Sequence, residues 1–373
     1  MGSIRPAEAF HPGEYLREEL EERGWIQSDL ATITDVQPAI LSGVINGKRS
    51  INVPLAIALG KALGTSPDLW VNLQFQYDRW DALTDRNDDV ERRAKLYEFP
   101  VREMSKRGWV DDRATLEVLE HQMSGYFDSF AIAAKRSKNN KRLTSSQKAW
   151  LHRTKQLAEC LVDTPPYSLK ALETAIESFR QFLHAPEETS KVSSILKGAG
   201  VRFVVVEGLP GLKLDGVCYW MDQKSPVVAL SMRSDRIDNF WFVLRHELEH
   251  VLRADAKGAG LAAAVPDSME TTLNEDSGET ASRERVANSA ASDFCVPKKH
   301  MDGFIDRWSG YYQKKRIDLF ANSIGVHPGL VVGQLHGKGE LHHKNLRKSL
   351  ARVRDNVTMT TLTDGWGIAP QLN

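Results

Sequence analysis

The sequence of 373 residues is short of cysteine and has no excess of either charge. Three cysteines occur, Cys160, Cys218 and Cys295. Far apart and odd in number, they argue for reduced thiols over a disulfide framework, and none has metal-ligand spacing to another. The 49 lysines and arginines are balanced by 49 aspartates and glutamates, so overall charge points neither to a nucleic-acid coat nor to a membrane-surface binder. Long apolar runs are missing as well. No stretch approaches the roughly 18 apolar residues of a membrane span, and the opening MGSIRPAEAFHPGEY lacks the apolar core of a signal peptide. These absences predict a cytoplasmic chain with no membrane partner. Residues 256–282 contain no aromatic residue and many small or acidic ones, which predicts a mobile loop.

What is present suggests a multidomain, mainly α-helical protein, since this length suffices for two or three cores. Residues 12–23 (PGEYLREELEER) read as a helix opened by proline and closed by Gly24. QSDLATIT (27–34), VQPAILSGVING (36–47), NVPLAIALGKALG (52–64) and SPDLWVNLQFQYDRW (66–80) each space apolar residues three or four apart, giving an all-α unit of five helices over 1–82. A looser helical middle region spans 83–190. Its basic run AAKRSKNNKRLTSSQKAWLHRTKQ reads as a solvated linker entering a helix that contains Trp150. From 201 the runs VRFVVVEGL, GVCYWMD and SPVVALSM are short and β-rich, predicting a small sheet within an α+β unit at 191–356. An exposed SPVVALSM edge would accept a peptide as an added strand. Residues 316–337 read as a turn-linked helical pair, and 357–373 as a weakly ordered tail.

The chemistry stands in DNFWFVLRHELEHVL. Ile237, Phe240, Trp241, Leu244, Leu248, Val251 and Leu252 recur at helical spacing, with Asp238 or Asn239 placed to begin the helix. Positions four apart share a face, so His246 and His250 lie about 5 to 6 Å apart and suit one cation. Glu247, beside them, suits a general base acting on water. A catalytic zinc needs a third protein ligand. His300, His336, His342 and His343 lie downstream, but Glu284 in SRERVANSAASDFCVP is the more specific candidate. Asn288, four residues on, is placed to hydrogen-bond a ligand.

DNFWFVLRHELEHVL followed by ERVANSAASDFCVP resembles the ImmA/IrrE family of metallopeptidases over roughly residues 195–340. The resemblance implies a zincin-like fold, one Zn2+ per chain (Mn2+ as the alternative ion) held by His246, His250 and Glu284, and Glu247 as general base in peptide hydrolysis. Glu249 departs from the small residue common in that family and is expected to add charge near the cleft. Phe294-Cys295-Val296-Pro297 stands where Leu-Leu-Met-Pro is more usual. Tyr219, His300 and Tyr311 are candidates for stabilising the oxyanion.

In the first unit, TITDVQPAILSGVINGKRSI has the layout of a helix-turn-helix, with a turn at Thr34-Asp35 and Pro38 opening the second helix. Gln37, Ala39 and Ser42 are the candidates for base edges, and Asn46, Lys48 and Arg49 for phosphates of double-stranded operator DNA. Residues 10–82 resemble the antitoxin-type, HigA-like branch of the Xre family. That likeness implies operator binding as a homodimer and, in antitoxins, a toxin partner. Seven basic residues against ten acidic ones in 1–80 leave a net charge near −3, which predicts weak non-specific DNA affinity. Two whole-chain readings follow. One is a DNA-binding regulator whose second part cleaves a regulatory protein, a repressor or antitoxin. The other is an antitoxin or autorepressor whose peptidase-like part captures a toxin or senses a ligand.

Overall fold

The computed structural model describes residues 9–84, 89–134, 143–255, 257, 261 and 279–370. The chain divides into two compact units, 1–92 and 93–373. In the first, α1 (Pro12–Arg23), α2 (Gln27–Thr34), α3 (Pro38–Ile45), α4 (Val53–Leu63) and α5 (Pro67–Thr84) fall where the apolar periodicity places them. Leu16, Leu20, Leu30, Leu41, Val44, Leu55, Leu59 and Trp70 fill its core. Gln74 is buried there and satisfied, accepting from the Ile51 amide at 2.9 Å and donating to Asp78 at 2.7 Å. Helix α1 also holds the end of α3, because the Arg17 guanidinium donates to the Ile45 carbonyl at 2.9 Å. Their close approach requires glycine at 13, where a Cβ would lie 2.0 Å from the Val44 carbonyl oxygen.

The second unit is layered. Helix α6 (Asp89–Leu96) enters it, followed by α7 (Val101–Lys106), α8 (Leu116–Ala134), α9 (Ser145–Glu159), α10 (Leu169–Phe179) and α11 (Val192–Gly198). The strands β1 (Arg202–Val206), β2 (Gly216–Trp220) and β3 (Pro226–Leu230) precede α12 (Ile237–Leu252) and α13 (Glu279–Cys295). Then come α14 (Lys298–Trp308), α15 (Lys314–Ser323), α16 (Pro328–Gly337), α17 (Arg354–Thr360) and β4 (Leu362–Asp364). The sheet order is β2-β3-β1-β4, with β1 parallel to β3 and β4 and β2 antiparallel to β3. Successive strand residues alternate between faces. Val204, Val206, Val217, Tyr219, Val227 and Ala229 pack with α7, α8 and α9. Phe203, Val205, Cys218, Trp220, Val228 and Leu230 pack with α10 to α12 and the helices that follow.

This arrangement changes three expectations. The middle region 83–190 is not a separate layer of sequence: Trp109, Met123 and Trp150 share a core with the sheet, and the Trp150 indole donates to the Val206 carbonyl at 2.8 Å. The segment after 357 is built into the sheet, because β4 pairs with β1 and the Asp364 carboxylate accepts from the Trp109 indole at 2.8 Å and from the Arg153 guanidinium. SPVVALSM is not an edge, since β3 is flanked by β1 and β2, and the edges are β2 and β4. Most of the 256–282 loop, and residues 135–142 of the basic run, lie outside the described residues. The helix after that run opens with Thr144, whose hydroxyl accepts from the Gln147 amide while Gln147 accepts from the Thr144 amide. No helix among the described residues is long and apolar enough to cross a membrane. The three cysteines are free, with Cys218 and Cys295 buried.

Candidate functional site

Helix α12 presses one face into the core through Ile237, Phe240, Trp241, Leu244, Leu248 and Val251. It starts at Ile237, ahead of the expected Asp238 or Asn239, with Arg236 at the cap position, and Asp238 bonds Arg236 from the first turn. Its other face meets α13. His246 and His250, one turn apart, bring their Nε2 atoms to 3.0 Å. Glu284 of α13 completes the cluster, its Oε2 3.3 Å from His246 Nε2 and its Oε1 3.6 Å from His250 Nε2. Among the described residues these three form the group of side chains whose ligand atoms converge as a cation requires.

The donor set fits a divalent ion. Zinc holds nitrogen and oxygen ligands at about 2.0–2.2 Å, and a tetrahedron of that size has edges of about 3.3–3.6 Å. The two Nε2 atoms, 3.0 Å apart, lie close to that spacing; Glu284 approaches each ring with a different oxygen, and one ligand atom from each of the three residues lies within 4.8 Å of the others. Both rings also turn their Nδ1 atoms toward oxygens, His246 toward Asn288 Oδ1 at 3.0 Å and His250 toward Asp255 Oδ2 at 2.9 Å. An Nδ1–H donating to each oxygen leaves two Nε2 lone pairs and a carboxylate facing one another, an arrangement that only positive charge between them stabilises. A proton can supply such charge, as a cation can. Burial acts to lower the His250 pKa, but Glu284, Glu247 and Asp255 outweigh it and bring it to about 8. Burial likewise acts to raise the Glu284 pKa, and the two histidines instead bring it to about 2.

Glu247 is fully buried beside this cluster. Gly216, the first residue of β2, lies over it: a Cβ there would sit 2.9 Å from Glu247 Oε1 and 2.6 Å from a Val243 methyl. Glu249 does not add free charge, because Arg245 pairs with it at 2.8 Å with both side chains mostly buried. Tyr219 faces the opposite layer, its hydroxyl 3.3 Å from Thr154 Oγ1. His300 is exposed on α14, and Tyr311 is 70% exposed beyond its end. His336 is occupied with the Asn345 carbonyl at 3.0 Å, and His342 and His343 are exposed. Sequence reasoning passed over Asp255 and Gly216. Nothing in the sequence beyond a carboxylate five residues after His250 marks the former.

In the first unit, α2 ends at Asp35, whose φ of 54° reverses the chain, and α3 begins at Pro38. Gln37 and Ala39 stand exposed at the start of α3, with Ser42 one turn on and half-buried. The Asn46 amide donates to the Ser42 carbonyl at 2.8 Å, which ties it to the helix end, while Lys48 and Arg49 are exposed just beyond. Two helices joined by a short turn, the second presenting polar residues at its N-terminus, are the geometry of groove readers. The sequence profile of the helix-turn-helix family matches residues 16–70.

Residues 16–70 are a helix-turn-helix domain. This domain has antitoxin-type relatives. An uncharacterised HTH-type transcriptional regulator of Haemophilus influenzae is 41% identical over 70 residues, which are 18% of this chain and 65% of that protein. Antitoxin HigA-1 of Vibrio cholerae is 40% identical over 70 residues, 18% of this chain and 66% of the relative. The match thus spans just under two thirds of either relative's length. A Pseudomonas aeruginosa protein crystallised in complex with its operator DNA is 31% identical, covering 23% of this chain and 92% of that one with a TM-score of 0.22.

Proposed function

We propose that this chain is a DNA-binding transcriptional regulator joined to a zinc-dependent endopeptidase that cuts a peptide bond in a regulatory protein, a repressor or an antitoxin. The observation that carries the peptidase reading is the convergence of His246, His250 and Glu284, with one ligand atom from each within 4.8 Å of the others, beside the buried Glu247. His246, His250 and Glu284 would hold a divalent ion, which when bound would supply Lewis acidity toward a carbonyl and acidify water. Glu247 takes a proton from water on its carboxylate and returns it to the leaving amine. Asn288 keeps His246 in the tautomer that offers Nε2 to a cation. The sheet edge beside Glu247 is β2, so a substrate added as a strand belongs there and not on β3.

The DNA reading rests on the helix-turn-helix domain. Gln37 and Ala39 are placed for base edges and Lys48 and Arg49 for phosphates, in a homodimer on a two-fold operator. The likeness to antitoxin HigA-1 supports a second reading, an autorepressor that captures a toxin without proteolysis. Metal content of the purified chain beside Glu284→Ala tests the site: about one zinc per chain, sharply reduced in the variant, is expected. Cleavage of a co-expressed repressor or antitoxin then separates the readings. Loss of cleavage in Glu247→Gln supports the peptidase, and a stable toxin complex with no cleavage supports the second reading.

A further inference from the structure

We infer that Asp255 is a positioning residue for the cation, fixing the ring of His250 and linking it to the helix that bears Glu284. This rests on the metal reading of the site. Asp255 lies three residues past the end of α12, and sequence spacing alone would carry it away from the cluster. The chain instead reverses at Ala254, whose φ is 53°. The Asp255 amide then donates to the His250 carbonyl at 3.0 Å, which brings the carboxylate back to the imidazole. Its Oδ2 lies 2.9 Å from His250 Nδ1. An ionised carboxylate only accepts, so Nδ1 carries the hydrogen and the Nε2 lone pair is directed at His246 and Glu284. The second oxygen, Oδ1, lies 3.6 Å from the Arg283 guanidinium, next in sequence to Glu284. One carboxylate, its side chain 13% exposed, therefore touches both segments that supply ligands.

The two histidines are held unequally. His246 has an amide oxygen as its partner and His250 a carboxylate. A carboxylate partner makes an imidazole the more basic ligand, and such outer partners typically change metal affinity by roughly 10- to 100-fold. The geometry makes His250 the firmer of the two nitrogen ligands, with Asp255 as the cause.

The test is Zn2+ affinity of the full chain, measured by competition with a chromophoric chelator, together with the visible spectrum of the Co2+ form. Asp255→Ala is expected to bind Zn2+ roughly 10- to 100-fold more weakly and to shift the Co2+ bands. Asp255→Asn, whose amide oxygen still accepts from Nδ1–H as Asn288 does for His246, is expected to fall between the wild type and Asp255→Ala, keeping the ring's orientation and losing the added basicity that the carboxylate gives. If Asp255→Ala fails to fold, Asp255→Ser takes its place. Tight binding by the wild type with the Ala or Ser variant within about threefold and the Co2+ spectrum unchanged would overturn the role of Asp255 while leaving the metal site standing. A wild-type chain that takes up no Zn2+ would overturn the metal reading itself.

Discussion

At the scale of single residues, the cluster of His246, His250 and Glu284 sets a competition between proton and cation. His250 is raised from 6.5 to about 8 and Glu284 is lowered to about 2. In the metal-free protein the raised His250 therefore contributes stability below about pH 6.5 that is lost as pH rises through about 8. Glu284 contributes stability above about pH 4.5 that is lost as pH falls through about 2. A cation must displace the His250 proton below pH 8. Apparent Zn2+ affinity is expected to rise by about tenfold per pH unit between 6.5 and 8 and then level off; a series of chelator competitions across that range measures it. Gly216 makes a second residue-scale prediction. Gly216→Val forces a side chain onto Glu247 and Val243; on the peptidase reading, Zn2+ should still bind while cleavage slows by roughly 100-fold as the proposed base is displaced. Assays of metal content and turnover on the same preparation separate the two effects.

At the scale of elements, the helical period made the first unit and α12 readable, since apolar spacing and the i, i+4 histidines are properties of one short segment. Glu284 and Asn288 were also legible because they lie four apart on one later helix. Asp255 was not, because its place depends on a single residue, Ala254, taking a positive φ. Glu249 was misjudged for a different reason: its partner Arg245 stands on the same helix, but the burial that makes their pairing matter comes from neighbouring elements. Helix α3 carries the prediction for the DNA-binding unit. The Gln37 side chain is exposed and makes no capping hydrogen bond to α3, so Gln37→Ala should leave the melting temperature unchanged and cost about 1–3 kcal/mol of operator binding. The exposed acids Glu14, Glu18, Glu21 and Glu22 on α1 and the few cations near α3 predict few phosphate contacts. The logarithm of operator affinity should accordingly fall with the logarithm of salt at a shallow slope, which a filter-binding or anisotropy series would read.

At the scale of the molecule, the sheet and its two helical layers were only partly legible. The three runs of β-rich residues marked β1, β2 and β3, but strand order depends on pairings far apart in sequence. A three-residue strand such as β4 has too little pattern to be seen alone. Its Asp364 is nonetheless a junction, buried with Arg153 of α9 and bonded to the Trp109 indole. Removing one partner leaves the other charge buried and uncompensated. Asp364→Ala should therefore lower the stability of the second unit by about 3–5 kcal/mol in urea titration, with the first unit's transition unmoved.

The pairing of β1 with β4 also has a bearing on synthesis. Strand β1 starts at residue 202 and its partner β4 at residue 362, so on the ribosome the sheet waits about 160 residues for its last strand, well after His246, His250 and Glu284 have emerged. The first unit meets no such delay, because its five helices pack among themselves within 84 residues. A nascent or prematurely terminated polypeptide would thus carry a finished helix-turn-helix beside a second unit with β1 unpaired along one side and Arg153 without its carboxylate. Vectorial folding would let such a product carry a complete helix-turn-helix while the unit proposed to be a peptidase was still unfinished.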